Sequence, residues 1–212
     1  MRARLRALAG ALGCLALLWL TTGSPARATI MREMSIDELT RVSTHVVRGT
    51  VLGQVARWTD DHKGILTYID VALNERLKDS PPLPNVVQIV EPGGELDGVR
   101  MKIVGGPVFK EGEDLFLFLG DYSDDPAEKD MVVLNGGKMG RMPVVTDSST
   151  GKVSVVREYT DVEFARFVQD DGRPHMEISP GPPDRKIPIA DFRRMVLDAV
   201  RAASGSARGG RK

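Results

Sequence analysis

Apolar and polar positions change period along this chain, and most of the chain follows the two-residue period of strands. Val47, Gly49, Val51, Gly53 and Val55 alternate with Arg48, Thr50 and Gln54, so one face is apolar and carries two glycines. Glycines on the inner face of a strand mark sharp bending of the kind small barrels require. Thr59-Asp60-Asp61-His62-Lys63-Gly64 is a polar turn, and a second strand is expected from about Ile65 to Leu77. Ile69, Val71, Leu73 and Leu77 would share one of its sides, completing a long β-hairpin. Pro81-Pro82-Leu83-Pro84 breaks the chain before a third strand at Val86 to Val90. Residues 91–112 read as an irregular excursion, with a short strand at Met101 to Val104.

Leu115-Phe116-Leu117-Phe118-Leu119 is apolar at every position. That pattern predicts a central strand covered on both faces. Met131 to Leu134, Met142 to Val145 and Val153 to Val156 complete the β series. Asp161 to Val168 reads as a helical stretch, with Val162, Ala165 and Phe167 partly apolar.

The three- and four-residue period appears twice more. Ser35 and Glu38 have capping-box spacing, with Met34 and Leu39 at the staple positions, so a short helix is expected to end near Val42 or Ser43. Near Pro188 a second helix begins, with Ile189, Phe192, Val196 and Val200 forming one stripe fit to cover a sheet. The fold class that follows is mainly β with peripheral α: a small antiparallel β-barrel, a short N-terminal helix and a C-terminal amphipathic helix. An immunoglobulin-like sandwich would want evenly spaced strands and a buried Trp, whereas Trp58 sits at a hairpin tip.

The first residues change where this fold is expected to work. Arg2, Arg4 and Arg6 precede an apolar run from Ala7 to Leu20, and Ala26-Arg27-Ala28 matches an A-x-A cleavage site. The run is short for a membrane span, so residues 1–28 read as a signal peptide and the mature chain as secreted or periplasmic from Thr29. The expected organisation is then a barrel domain at 29–168, a Pro-rich linker at 169–188, a helix on the barrel at 189–203 and a disordered tail at 204–212.

Charge and cysteine usage exclude some functions. Lys and Arg number 29 against 29 acidic residues, but four of the Arg lie in the leader, which leaves 25 basic residues against 29 acidic. An acidic body does not suit nucleic acid or an anionic membrane surface. Cys14, the only cysteine, lies in the leader, so the mature chain has no disulfide, thiol nucleophile or Cys metal ligand.

Candidate chemistry is sparse. His45, His62 and His175 lie in different segments without metal-ligand spacing. Ser149-Thr150-Gly151-Lys152 has the S-x-x-K spacing of acyl-transfer enzymes but sits in a Ser/Thr/Gly turn, where nothing folds Lys152 back onto Ser149. Asp121, Ser123 and Asp125 alternate as calcium ligands do, near Glu128 and Asp130. Pro126 and Val132, however, replace the Gly and Glu of an EF-hand loop, which favours a solvated acidic loop. Gly136-Gly137-Lys138 lacks the remaining glycine and the Ser or Thr of a phosphate loop, and reads as a bulged or bent strand. Glu91 and Glu95 are spaced as a carboxylate pair for sugar chemistry, but few aromatic platforms accompany them, and the segment reads as a turn. No catalytic, cofactor-binding or metal-binding residue is therefore assigned.

The stretch THVVRGTVLGQV…TYIDVALNERLKDS resembles the opening hairpin of netrin and tissue-inhibitor-of-metalloproteinase modules, where a short helix leads into a bent strand. The GGELDG…GEDLFLFL…GGKMGR layout is similar to that of uncharacterised exported bacterial proteins. The resemblance spans residues 34–157 and implies an OB-like barrel. The inhibitor modules chelate a target's zinc through an amino-terminal cysteine, and this chain has Thr29 there, so no functional residue carries over.

The function expected is an exported, non-catalytic module that binds an extracytoplasmic protein or envelope component through barrel loops. Two alternatives stand beside it. One is a structural envelope protein. The other is a hydrolase with a site assembled from Asp, Glu, Ser and His, which would place His45 or His175 within hydrogen-bond reach of a carboxylate, with a Ser in the same pocket.

Overall fold

A computed structural model describes residues 29–103, 105–160, 162–170 and 173–209. The expected leader, Val104 and the last three residues lie outside them. The fold is mainly β with two helices at its periphery. Strands are numbered β1 (Thr29–Met31), β2 (His45–Trp58), β3 (Ile65–Asp79), β4 (Val86–Pro92), β5 (Gly94–Leu96), β6 (Val99–Met101), β7 (Asp114–Asp121), β8 (Met131–Leu134), β9 (Arg141–Thr146), β10 (Val153–Arg157), β11 (Val162–Asp170), β12 (Arg173–Pro180) and β13 (Arg185–Pro188). The helices are α1 (Ile36–Val42) and α2 (Ile189–Gly209).

Eight strands form one sheet in the order β13-β10-β9-β7-β2-β3-β4-β8, and β7 also pairs with β8. The pairings therefore lead from β2 through β3, β4, β8 and β7 back to β2. All are antiparallel except β4–β8, a parallel seam of two register pairs, Gln88↔Met131 and Ile89↔Val132. Two smaller sheets accompany this one. β1 pairs in parallel with β11 and β11 with β12, while β5 and β6 make a short hairpin.

The β2–β3 hairpin shows how far alternation can be read. Its register shifts between Val46 and Val47, between Arg48 and Gly49, and between Val51 and Gly53. Each bulge moves the residues after it to the other face. Val47 and Val51 are buried in one core with Ile69 and Val71, but Val55, on the same expected face, is 45% exposed. Leu77 likewise leaves the company of Ile69, Val71 and Leu73 and packs against the second core. Gly49 is required where β2 bends, because a Cβ there would lie 2.6 Å from Val71 Cγ1 and 2.7 Å from the Ala72 carbonyl oxygen.

β7 divides the molecule into two cores. Leu115, Leu117 and Leu119 face the ring with Val47, Ile69, Val87 and Ile89. Phe116 and Phe118 face the other way, against Ile36 and Leu39 of α1, Phe192 and Val196 of α2, and Phe164. All five residues from Leu115 to Leu119 are fully buried, as their unbroken apolar run predicts. Phe192 lies 4.7 Å from Phe116 and 6.3 Å from Phe118, ring centroid to ring centroid. Burying side chains of this size contributes about 2–3 kcal/mol each.

α1 is built as its sequence indicates. Ser35 Oγ accepts from the Glu38 amide at 3.1 Å, and the Glu38 carboxylate accepts from the Ser35 amide at 2.9 Å. Arg193 fastens α2 to β3 through a two-bond pair with Glu75, both contacts at 2.7 Å.

Three expectations are corrected. Residues 162–168, expected with Asp161 as a helix, are not helical: β11 occupies Val162 onward, with Val162 and Phe164 buried on one face and Ala165 on the other, while Asp161 lies outside the described residues. The segment 169–188, expected as a linker, carries β12 and β13, and β13 pairs with β10. α2 also continues past Ala203 to Gly209. In the first two cases pairing with distant strands overrides the local signal.

Candidate functional site

Three strand ends and two connections meet at one end of the ring. β2 begins at His45, β3 ends at Asp79 and β7 ends at Asp121, and β2 pairs with both others, placing His45 opposite Asp79 and Leu119. His45 is 1% exposed, and both of its ring nitrogens face carboxylates. Nδ1 lies 2.8 Å from Asp79 Oδ1 and Nε2 lies 3.3 Å from Asp121 Oδ1. Asp79 is 5% exposed, whereas Asp121 is 58% exposed. A carboxylate only accepts, so a neutral imidazole can donate to one of the two and a doubly protonated ring donates to both.

The same groups hold the connections. Asp79 Oδ1 accepts from the Leu83 amide at 3.0 Å, and Arg76 Nε donates to Asp79 Oδ2 at 2.8 Å. Arg76 also donates to the carbonyls of Leu83 and Pro84 at 3.1 and 3.0 Å. The proline segment 81–84 is thus fixed through Asp79. Thr44 Oγ1 donates to Asp121 Oδ2 at 3.2 Å, at the head of the acidic connection 122–130. His45 therefore pins one connection to the other.

Between them lies a cavity of about 560 Å³. One wall is Pro81, Pro82, Leu83 and Pro84. The other connection contributes Asp121, Ser123, Asp124, Asp125, Lys129, Asp130 and Met131, and His45 also lines the cavity.

The hydrolase expectation required His45 beside a carboxylate in a pocket with a Ser, and the fold assembles those three. Ser123 nevertheless accepts from the Asp125 amide at 2.9 Å, while His45 Nε2 is engaged by Asp121. The imidazole thus faces no hydroxyl as a general base would. The calcium pattern disperses. Asp125 Oδ1 caps the short turn at Pro126–Glu128 through the Ala127 amide, at 2.8 Å, and Asp121 turns to His45. No group of three His, Asp or Glu suited to a metal ion occurs among the described residues.

The remaining sequence candidates lie apart. His62 is in the distant hairpin turn, its ring 6.1 Å from Trp58, and His175 lies on β12 opposite Val168. Ser149 and Thr150 close a hairpin turn on Asp147, and Ser149 Oγ donates to Asp147 Oδ1 at 2.6 Å. Gly137–Gly140 form a 3-10 turn capped by Gly136 rather than a bent strand, and Lys138 Nζ donates to the Thr160 carbonyl at 2.7 Å. Glu91 and Glu95 do not act as a pair. Glu95 binds Arg100 at 2.8 Å on the exposed β5–β6 hairpin. Glu91 continues the inward line of Val87 and Ile89, and its partial burial pushes its carboxyl up to about 7, opposed only by a hydrogen bond from the Leu134 amide.

Sequence reasoning missed Asp79 and the proline wall. The signal was present in the hairpin: counting back from the 59–64 turn brings His45 near Asp79, but only the bulges bring them level. No protein-family model matches this chain and no curated protein matches it either, so a functional reading rests on the geometry alone.

Proposed function

We propose that this protein is an exported, non-catalytic binding module built on an OB-like barrel, and that it takes hold of an extracytoplasmic protein through the connections at one end of the ring. The leader pattern of residues 1–28 supports export. The closed path of pairings, with its single parallel seam between β4 and β8, supports the barrel. One observation carries the function. The cavity of about 560 Å³ is walled by two connections that a buried histidine pins together, yet that histidine engages no nucleophile. Rigidly held loops around a concavity suit recognition.

The test is affinity capture from the protein's own extracytoplasmic fraction, with the wild type and with Ser123→Trp, which fills the cavity. A defined protein retained by the wild type and lost with the filled cavity is expected. Equal capture by both would refute the reading. The hydrolase remains a second reading because His45, Asp79, Asp121 and Ser123 share the site. It predicts turnover of a chromogenic ester that disappears in both Ser123→Ala and His45→Gln. Mass measurement of the exported chain checks the start at Thr29.

A further inference from the structure

We infer that the cavity beneath the proline segment receives the side chain of a lysine or arginine from the partner. This rests on the binding reading above and adds the chemistry of the ligand. The two walls differ in kind. Pro81, Pro82, Leu83 and Pro84 from one connection offer an apolar lining, while the other connection brings Asp121, Asp124, Asp125 and Asp130, with Lys129 as the single lysine or arginine of the lining. A side chain with a methylene stem and a charged head matches both walls at once, stem on prolines and head toward carboxylates.

Two observations narrow the choice further. The floor is a built structure rather than a solvated run of acids. His45 and Asp79 are 1% and 5% exposed, and they hold Asp121 at the rim with Arg76 behind. The carboxylates do not converge on a point, since no three of them form a metal-sized group among the described residues. The volume, about 560 Å³, exceeds one side chain and leaves room for the backbone on either side of it.

The experiment is fluorescence anisotropy of the purified protein with a labelled Ala-Ala-Lys-Ala-Ala peptide and with the same peptide carrying Nε-acetyl-lysine. Saturable binding of the first is expected, weakened about tenfold by acetylation and about tenfold by the double variant Asp124→Asn, Asp130→Asn. Asp60→Asn, an exposed acid in the distant 59–64 turn, is expected to change affinity less than about twofold. Equal binding of the acetylated peptide overturns the inference, as does an Asp60→Asn effect equal to that of the cavity variant. So does the absence of saturable binding. If the lysine peptide fails while Ser123→Trp still abolishes partner capture, the binding reading stands and the cationic ligand falls. If both fail, both fall.

Discussion

Replacing Glu91 with glutamine is expected to make the protein more stable at pH 8 and to leave it nearly unchanged at pH 4.5. Glu91 sits on β4 at the end of an inward line whose other members, Val87 and Ile89, are 1% and 0% exposed. Loss of water around its carboxyl raises the pKa from 4.5 to about 7, against the pull of the Leu134 amide. An acid that binds its proton more tightly when folded stabilises the fold fully below the unfolded value. That contribution fades as pH rises from about 4.5 and is gone above about 7. At about 1.4 kcal/mol per pH unit the interval from 4.5 to about 7 corresponds to at most about 3.5 kcal/mol, and the partial exposure of Glu91 brings this to about 2. Glutamine keeps an oxygen for the Leu134 amide and carries no charge. Urea unfolding from pH 4.5 to 8.5 should therefore show wild type losing about 2 kcal/mol more than Glu91→Gln across that range. Parallel profiles would refute the reasoning, because they would mean that the carboxyl is hydrated in the fold.

Three further substitutions probe the frame around the site. His45→Leu removes the pin between Asp79 and Asp121 and leaves Asp79 buried with Arg76 and the Leu83 amide. A loss of about 2–4 kcal/mol by urea unfolding is expected, with faster amide exchange in both 80–85 and 122–130. Gly136→Ala should cost about 2–3 kcal/mol in the same assay, since φ there is +73° and a Cβ would meet Leu39 Cδ2 at 2.6 Å. Arg141, 5% exposed, pairs with Glu113 and Glu158 and lies over Phe109, so Arg141→Met should destabilise by about 1–3 kcal/mol through two uncompensated carboxylates. A melting temperature equal to wild type would show those glutamates to be solvated.

Much of the fold was legible because it is local. The capping box at Ser35, the apolar run at Leu115 to Leu119 and the stripe through Phe192 and Val196 each state their partner requirement in adjacent residues. What escaped depends on distance along the chain. β11 and β12 exist because they pair with each other, and β11 also with β1, although 161–168 and 169–188 read locally as helix and linker. The site shows the same division. His45, Asp121 and Ser123 were candidates by residue type, but their convergence needed two strand ends brought beside β2, and Asp79 entered only through bulges that alternation does not announce. The alternation of Asp121, Ser123 and Asp125 was visible in the sequence, and in the fold a turn at Pro126 and a histidine from β2 engage two of those three residues.

The pairing of β1 with β11 ties Thr29–Met31 to Val162–Phe164, so the earliest described residues find their neighbours only when the last third of the polypeptide is present. A chain emerging amino end first, from a ribosome or through a translocation pore, could complete its ring of strands while this opening segment still waited. Truncation after Arg157 would strand it for good and would leave Phe116 and Phe118 without the aromatic lid that Phe192 supplies.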